Sequence, residues 1–171
     1  MSHLAQSNFQ ALRIAALTVS DTRTIETDSS GQTLINHLEE AGHALAERAI
    51  VIDDIYRIRA QLSQWIIDSL VRVVRVVLVT GGTGFTARDN TPQVVVSWLD
   101  KHVEGFGELF RQVSVLEIGT SSLQSRALAG FANSTLICCL PGSPNACRTG
   151  WQKILGEQLD SRTRLCNFVR I

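Results

Sequence analysis

Three glycines within four positions, Gly81, Gly82 and Gly84 around Thr83, close an apolar run, and an acid, Asp89, follows shortly after them in VVLVTGGTGFTARDNTP (76–92). Without a β-carbon, glycine lets backbone N–H groups approach and point at phosphate oxygens. The stretch matches neither GxxxxGK[ST] nor GxGxxG, which excludes a P-loop NTPase and the standard dinucleotide loop. No lysine occurs between Val71 and Asp100, where the positive charges are Arg72, Arg75 and Arg88. A carboxylate near phosphates repels them unless a cation lies between, and Mg²⁺ is typically held by one or two carboxylates plus substrate phosphates. Asp89, with Asp53 or Asp54 at what is expected to be a neighbouring strand end, is therefore a candidate magnesium pair. The competing reading of Asp89 is an acid facing the dipole of the helix that Thr91-Pro92 begins.

These groups need elements to hold them. Residues 1–11 are polar and aperiodic and are expected to form a loose arm, with a single domain over 12–171. Residues 13–19 (RIAALTV) read as a buried strand closed by Ser20-Asp21. Leu34, Ile35 and Leu38 give 32–41 a helical spacing, with Gly42 as its stop. Residues 44–52 return to strand character, and Asp53-Asp54 opens a helix whose apolar positions Ile55, Ile58, Leu62, Trp65 and Ile66 follow one face. Residues 73–80 alternate little, as in a strand covered on both sides. Thr91 is the expected N-cap and Pro92 the first helical position, with Val94, Val95, Trp98 and Leu99 as the buried face. Residues 105–119 and 121–131 are expected to be helical with a break between them. A last strand at 135–140 (TLICCL) runs into Pro141-Gly142-Ser143-Pro144 and a helix over 145–158. This alternation predicts a three-layer αβα sandwich around a mostly parallel sheet. Ligands bind beyond the carboxyl ends of such strands, so Ser20-Asp21, Asp53-Asp54, the glycine loop and the Pro-Gly-Ser-Pro turn should converge on one rim.

The 171 residues carry 16 basic and 16 acidic side chains. Neither a global field nor a basic stripe draws this chain to nucleic acid or anionic lipid. The apolar stretch around residues 71–79 is too short, and too interrupted by Arg72 and Arg75, to span a bilayer. The N-terminus lacks the layout of a signal peptide, and a cytoplasmic, reduced location is expected. Cys138, Cys139, Cys147 and Cys166 form no CxxC and have no histidine at zinc-ligand spacing; they read as structural.

GGTGFTARDNTP, together with LTVSD (17–21), DSSG (28–31) and LPGSPNA (140–146), resembles the molybdenum cofactor biosynthesis family of MoaB and MogA. The likeness is co-linear over about residues 12–160, and EGFGE-x-FR (104–111), EIGTS-x-LQSRA (117–127) and ACRT (146–149) look like its MoaB branch. The resemblance implies a MogA/MoaB-like fold, assembly as a homotrimer or homohexamer, and Mg·ATP-dependent adenylylation of molybdopterin with release of pyrophosphate. Matching positions imply that Asp89 and Asp53 are catalytic and hold Mg²⁺. They imply that Gly81, Gly82, Thr83, Gly84, Gly142, Ser143 and Asn145 bind the nucleotide. Ser20, Asp21, Ser30, Gly31, Ser125 and Arg126 fall on the molybdopterin side. The common pattern RD-V-TP-E is Arg88-Asp89-Asn90-Thr91-Pro92-Gln93 here, so a valine and a glutamate of the pattern are replaced by Asn90 and Gln93. The alternative is a non-catalytic molybdopterin- or nucleotide-binding accessory protein of the same pathway, with other cofactor-biosynthesis proteins as possible partners.

Overall fold

The structure is a computed structural model describing residues 8–67, 74–164 and 166–170. Six strands form one sheet in the order β2-β1-β3-β6-β5-β4. They are β1 (Arg13–Val19), β2 (Ala44–Val51), β3 (Val76–Thr80), β4 (Lys101–His102), β5 (Leu128–Ala132) and β6 (Thr135–Leu140). β2, β1, β3 and β6 are mutually parallel, and β5 and β4 complete the sheet with antiparallel pairings.

Side chains alternate across the sheet, so each parallel strand feeds two cores. Ile14, Leu78, Leu136, Cys138 and Leu140 meet one face, against α1 (Ser29–Glu40), α4 (Glu104–Ile118) and α5 (Pro144–Gly150). Ala15, Leu17, Val77, Val79, Ile137 and Cys139 meet the other, against α2 (Ile55–Ile67) and α3 (Thr91–Val96). That is the three-layer sandwich expected, and burial of each large side chain such as Leu17 or Leu78 contributes about 1.5–3 kcal/mol. Adjacent Cys138 and Cys139 sit fully buried in opposite cores, and burial raises both thiols far above their usual range. Cys147 is also buried and its thiol is pushed up to about 11, whereas Cys166 is exposed.

Several expectations change. The apolar run ALAGFA, read as the end of a helix over 121–131, is instead β5. Asn133 and Ser134 both take positive φ (46° and 65°), and this two-residue turn folds Leu128–Ala132 back onto β6. Short apolar runs fit either period, and the turn decides here. The 3₁₀ turns Gly119–Gln124 follow α4 instead of a second helix. α1 starts at Ser29, ahead of the expected 32, because the Asp28 carboxylate caps it by accepting from the Gly31 N–H at 2.9 Å. Thr91 is not the cap of α3: that position belongs to Asn90, and Thr91 is the first helical residue. α3 stops at Val96, and Trp98 and Leu99 pack on the core from the turn that follows. β2 and β3 are not neighbours, since β1 lies between them. Of the expected arm, residues 1–7 lie outside the described residues. Phe9 packs on His43 with ring centroids 5.2 Å apart.

Candidate functional site

Register aligns the carboxyl ends of the four parallel strands, with Val19 opposite Val51 and Thr80 opposite both Thr18 and Leu140. The four turns that leave them therefore share one rim, and hydrogen bonds stitch them together. The Ser30 hydroxyl donates to Gly142 O at 2.8 Å, tying the start of α1 to the Pro-Gly-Ser-Pro turn. Gly81 N–H donates to Leu140 O, tying that turn to the glycine loop. Asp21 bridges the rest: its Oδ1 accepts from the Asp53 N–H at 2.9 Å and from Arg88 Nη2 at 2.8 Å, and its Oδ2 accepts from Arg88 Nε at 3.1 Å. The Asp21 carboxyl is held below its usual range by the Arg88 bonds first and the Asp53 amide second. Asp21 thus carries the connection across β1 that brings the end of β2 to the RD loop.

Asp53 is 6% exposed, and its Oδ1 accepts from both the backbone N–H (3.0 Å) and the side-chain amide (2.9 Å) of Asn90. Its carboxyl is pushed up, chiefly by burial and further by the charges of Asp89 and Asp21, against the opposing Asn90 bonds. Asp89 is set differently. Thr86 donates its backbone N–H (2.8 Å) and hydroxyl (2.6 Å) to Asp89 Oδ2, and the carboxyl stays below its usual range, with the Thr86 hydroxyl the largest cause. The carboxylate therefore closes its own turn, beside Gly84, where an added Cβ would lie 2.8 Å from Oδ2.

Gly82 is required by geometry. Its φ is +65°, and a Cβ there would collide with Thr91 Oγ1 and stand 2.6 Å from Asp53 Oδ2. Thr91 is fully buried, and Oγ1 has no hydrogen-bond partner among the described residues. An orphaned hydroxyl beside a buried carboxylate oxygen, with like charges raising that carboxyl, is a donor set that fits a small oxygen-seeking cation. Among the described residues no three His, Cys, Asp or Glu side chains converge as a cage.

The remaining residues singled out from the sequence fall on the same rim with local tasks. The Ser20 hydroxyl accepts from the N–H groups of Thr22 and Arg23. Ser143 caps α5 by accepting from Ala146 N–H at 3.1 Å. Asn145 Nδ2 donates to Glu117 at 2.9 Å. The Ser125 hydroxyl accepts from Ala127 N–H at 3.3 Å. Arg126 reaches back to the glycine loop: Nε donates to Thr83 O at 3.0 Å, and Nη2 donates to Asp89 O at 3.0 Å and to Gly84 O. Sequence reasoning does not single out Thr86, Arg88 or Asn90, although each lies within the motif itself; Asn90 in place of valine is the available signal. Asp28 enters the sequence reading only within its motif, yet it is buried and binds Thr18, Gly31 and Arg48.

A surface cavity of about 340 Å³ opens beside Ser20 and Asp21, lined also by Arg23, Thr24, Ile25 and Ile52. Two others, about 310 and 510 Å³, lie along β4 and β5 and include neither Asp53 nor Asp89. Among the described residues no helix is long and apolar enough to cross a membrane.

Residues 15–161 match the family described as "Probable molybdopterin binding domain". The chain is 53% identical over 162 residues to Molybdenum cofactor biosynthesis protein B of Escherichia coli (strain K12), covering 95% of this chain and 94% of that one. It is 43% identical over 150 residues to the protein of the same name from Bacillus cereus, covering 86% of each. A crystal structure of a Molybdenum cofactor biosynthesis protein B superposes with a TM-score of 0.83 at 42% identity, over 88% of this chain and 92% of that one. With this fold, this rim and these relatives, the chain belongs to the molybdopterin-binding domain family of molybdenum cofactor biosynthesis proteins.

Proposed function

We propose that the rim catalyses Mg·ATP-dependent adenylylation of molybdopterin. A terminal phosphate oxygen of molybdopterin attacks the α-phosphorus of ATP, the bond from that phosphorus to the bridging β-oxygen breaks, and pyrophosphate leaves. The observation that carries this reading is the pair of unlike carboxylates, buried Asp53 and turn-closing Asp89, set against a glycine loop free of lysine. Asp53 and Asp89 would hold Mg²⁺. Bound magnesium neutralises phosphate charge and polarises the phosphorus under attack.

The chain's own work is positioning, which is most of what phosphoryl-type transfer asks of a protein. Gly81, Gly82, Thr83 and Gly84 form the loop that receives the nucleotide phosphates, with the Gly81 N–H already given to Leu140 O, and Gly142, Ser143 and Asn145 line the nucleotide side. Ser20, Asp21, Ser30, Gly31 and Ser125 border the pterin side, where the cavity beside Asp21 offers room. The nucleophile belongs to the substrate, so the buried thiols need no role. Leu109, Val115, Leu116, Ile118 and Leu123 are exposed on and after α4 and offer a face for self-association into a trimer or hexamer.

The test is pyrophosphate release from Mg·ATP with and without molybdopterin. Release that requires molybdopterin supports the enzyme. Tight molybdopterin binding with no product, under conditions where an active adenylyltransferase turns over, supports the accessory protein instead.

A further inference from the structure

Arg126 has the chemistry of an anion ligand but not the surroundings of one. Its Nε and Nη2 are directed at three backbone carbonyls, those of Thr83, Gly84 and Asp89, and the guanidinium lies 5.1 Å from the centre of the Phe85 ring. In a planar trans peptide the C=O and N–H point in opposite directions. Each carbonyl that Arg126 draws toward itself therefore turns the next residue's N–H away from the guanidinium. For the Asp89–Asn90 peptide the far edge is visible: the Asn90 N–H donates to Asp53 Oδ1 at 3.0 Å. For the Thr83–Gly84 peptide the far edge is the Gly84 N–H, on the residue whose Cβ position lies 2.8 Å from Asp89 Oδ2. For the Gly84–Phe85 peptide the far edge is the Phe85 N–H, which donates to nothing among the described residues.

We propose that Arg126 is a positioning residue. Its planar fork fixes three loop peptides so that their amide edges orient Asp53, orient Asp89 and leave the Phe85 N–H aimed at a ligand phosphate. This rests on the adenylyl-transfer reading for the identity of the ligand and departs from it in taking Arg126 off the pterin. The fork reaches all three because Nε takes Thr83 O while Nη2 takes the carbonyls of Gly84 and Asp89, whereas a lysine ammonium is a single point charge without that second, fixed donor.

The experiment measures binding of magnesium pyrophosphate and of molybdopterin, separately, to wild type, Arg126→Lys and Arg126→Ala. Thermal unfolding checks that each variant is folded. Arg126→Lys keeps the charge and the alkyl stem beside Phe85, and it decides the matter should Arg126→Ala fail to fold. The expected result is a loss of pyrophosphate affinity of about tenfold or more in both variants, the scale of a lost hydrogen bond to a charged group. Molybdopterin affinity stays within about twofold, below the scale of one lost hydrogen bond. Wild-type pyrophosphate affinity in Arg126→Lys would overturn the proposal, because charge alone would then suffice. A loss confined to molybdopterin, an equal loss of both ligands, or wild type that binds no pyrophosphate would overturn it too. Wild type that binds pyrophosphate but forms no adenylyl product removes adenylyl transfer and leaves this assignment standing.

Discussion

Asp53 and Arg126 grip opposite edges of one peptide unit. The link between Asp89 and Asn90 offers its carbonyl to the guanidinium at 3.0 Å and its N–H to the carboxylate at 3.0 Å. Residues from the end of β2 and the start of β5 thus clamp the RD loop that follows β3. The clamp matters because the loop has little regular structure, and the proposed sharing of a cation would require Asp89 in the loop and Asp53 after β2 to keep a fixed separation.

Replacing Asp53 by Asn should stabilise the metal-free protein near neutral pH. The folded protein raises this carboxyl, so it binds the proton more tightly than the unfolded chain does. Stability from that group is present at low pH and is lost as pH rises through the folded-state value. The asparagine side chain of Asp53→Asn cannot ionise and escapes that loss while its Oδ1 still accepts from Asn90. Thermal unfolding in the presence of a chelator should show a higher Tm for the variant at pH 7, with the gap closing as pH falls below about 4. Equal melting curves across that range would mean that burial does not strain this carboxylate.

Asn90→Val should weaken the support of Asp53. The backbone bond at 3.0 Å remains and the side-chain bond at 2.9 Å is lost. A loss of about 1.5–3 kcal/mol in urea unfolding at pH 7 is expected, as for a hydrogen bond to a charged acceptor. The Asp53 carboxyl, followed by NMR titration, should move higher still. An unchanged titration would show that the amide does not reach it in solution.

How much of this is legible in the sequence depends on whether the signal is local. β1 and β6 can be read to the residue because buried, unalternating runs end in polar turns. The acids and glycines of the rim stand out because turns after parallel strands must converge. ALAGFA reads wrongly as helix because a short run of apolar and small residues fits either period, and the left-handed Asn133-Ser134 turn that settles it carries no glycine. Arg126 is placed on the pterin side by the family resemblance of its segment. In the structure it also binds carbonyls of residues 83, 84 and 89, and no local pattern announces a contact with backbone that far away. Asp21 bridging β2 to the RD loop is invisible for the same reason, since it depends on the strand order.

Gly82→Ala should damage both fold and site. A φ of +65° disfavours any β-carbon, and the space is taken by Thr91 Oγ1 and Asp53 Oδ2. The strain alone is about 1–3 kcal/mol. A lower Tm, together with loss of ATP binding by calorimetry, is expected. Wild-type ATP affinity in this variant would show that the loop tolerates the displacement of Asp53.

That Asp89 and Asp53 organise adenylyl transfer to molybdopterin is open to a single assay. Wild type and Asp89→Asn are incubated with Mg·ATP and molybdopterin, and adenylyl-molybdopterin and pyrophosphate are quantified while circular dichroism confirms the fold. The expected result is stoichiometric product formation by wild type and at least about a hundredfold less by the variant, the scale of losing a positioned charge in the transition state. Equal turnover by a folded Asp89→Asn protein would contradict the claim.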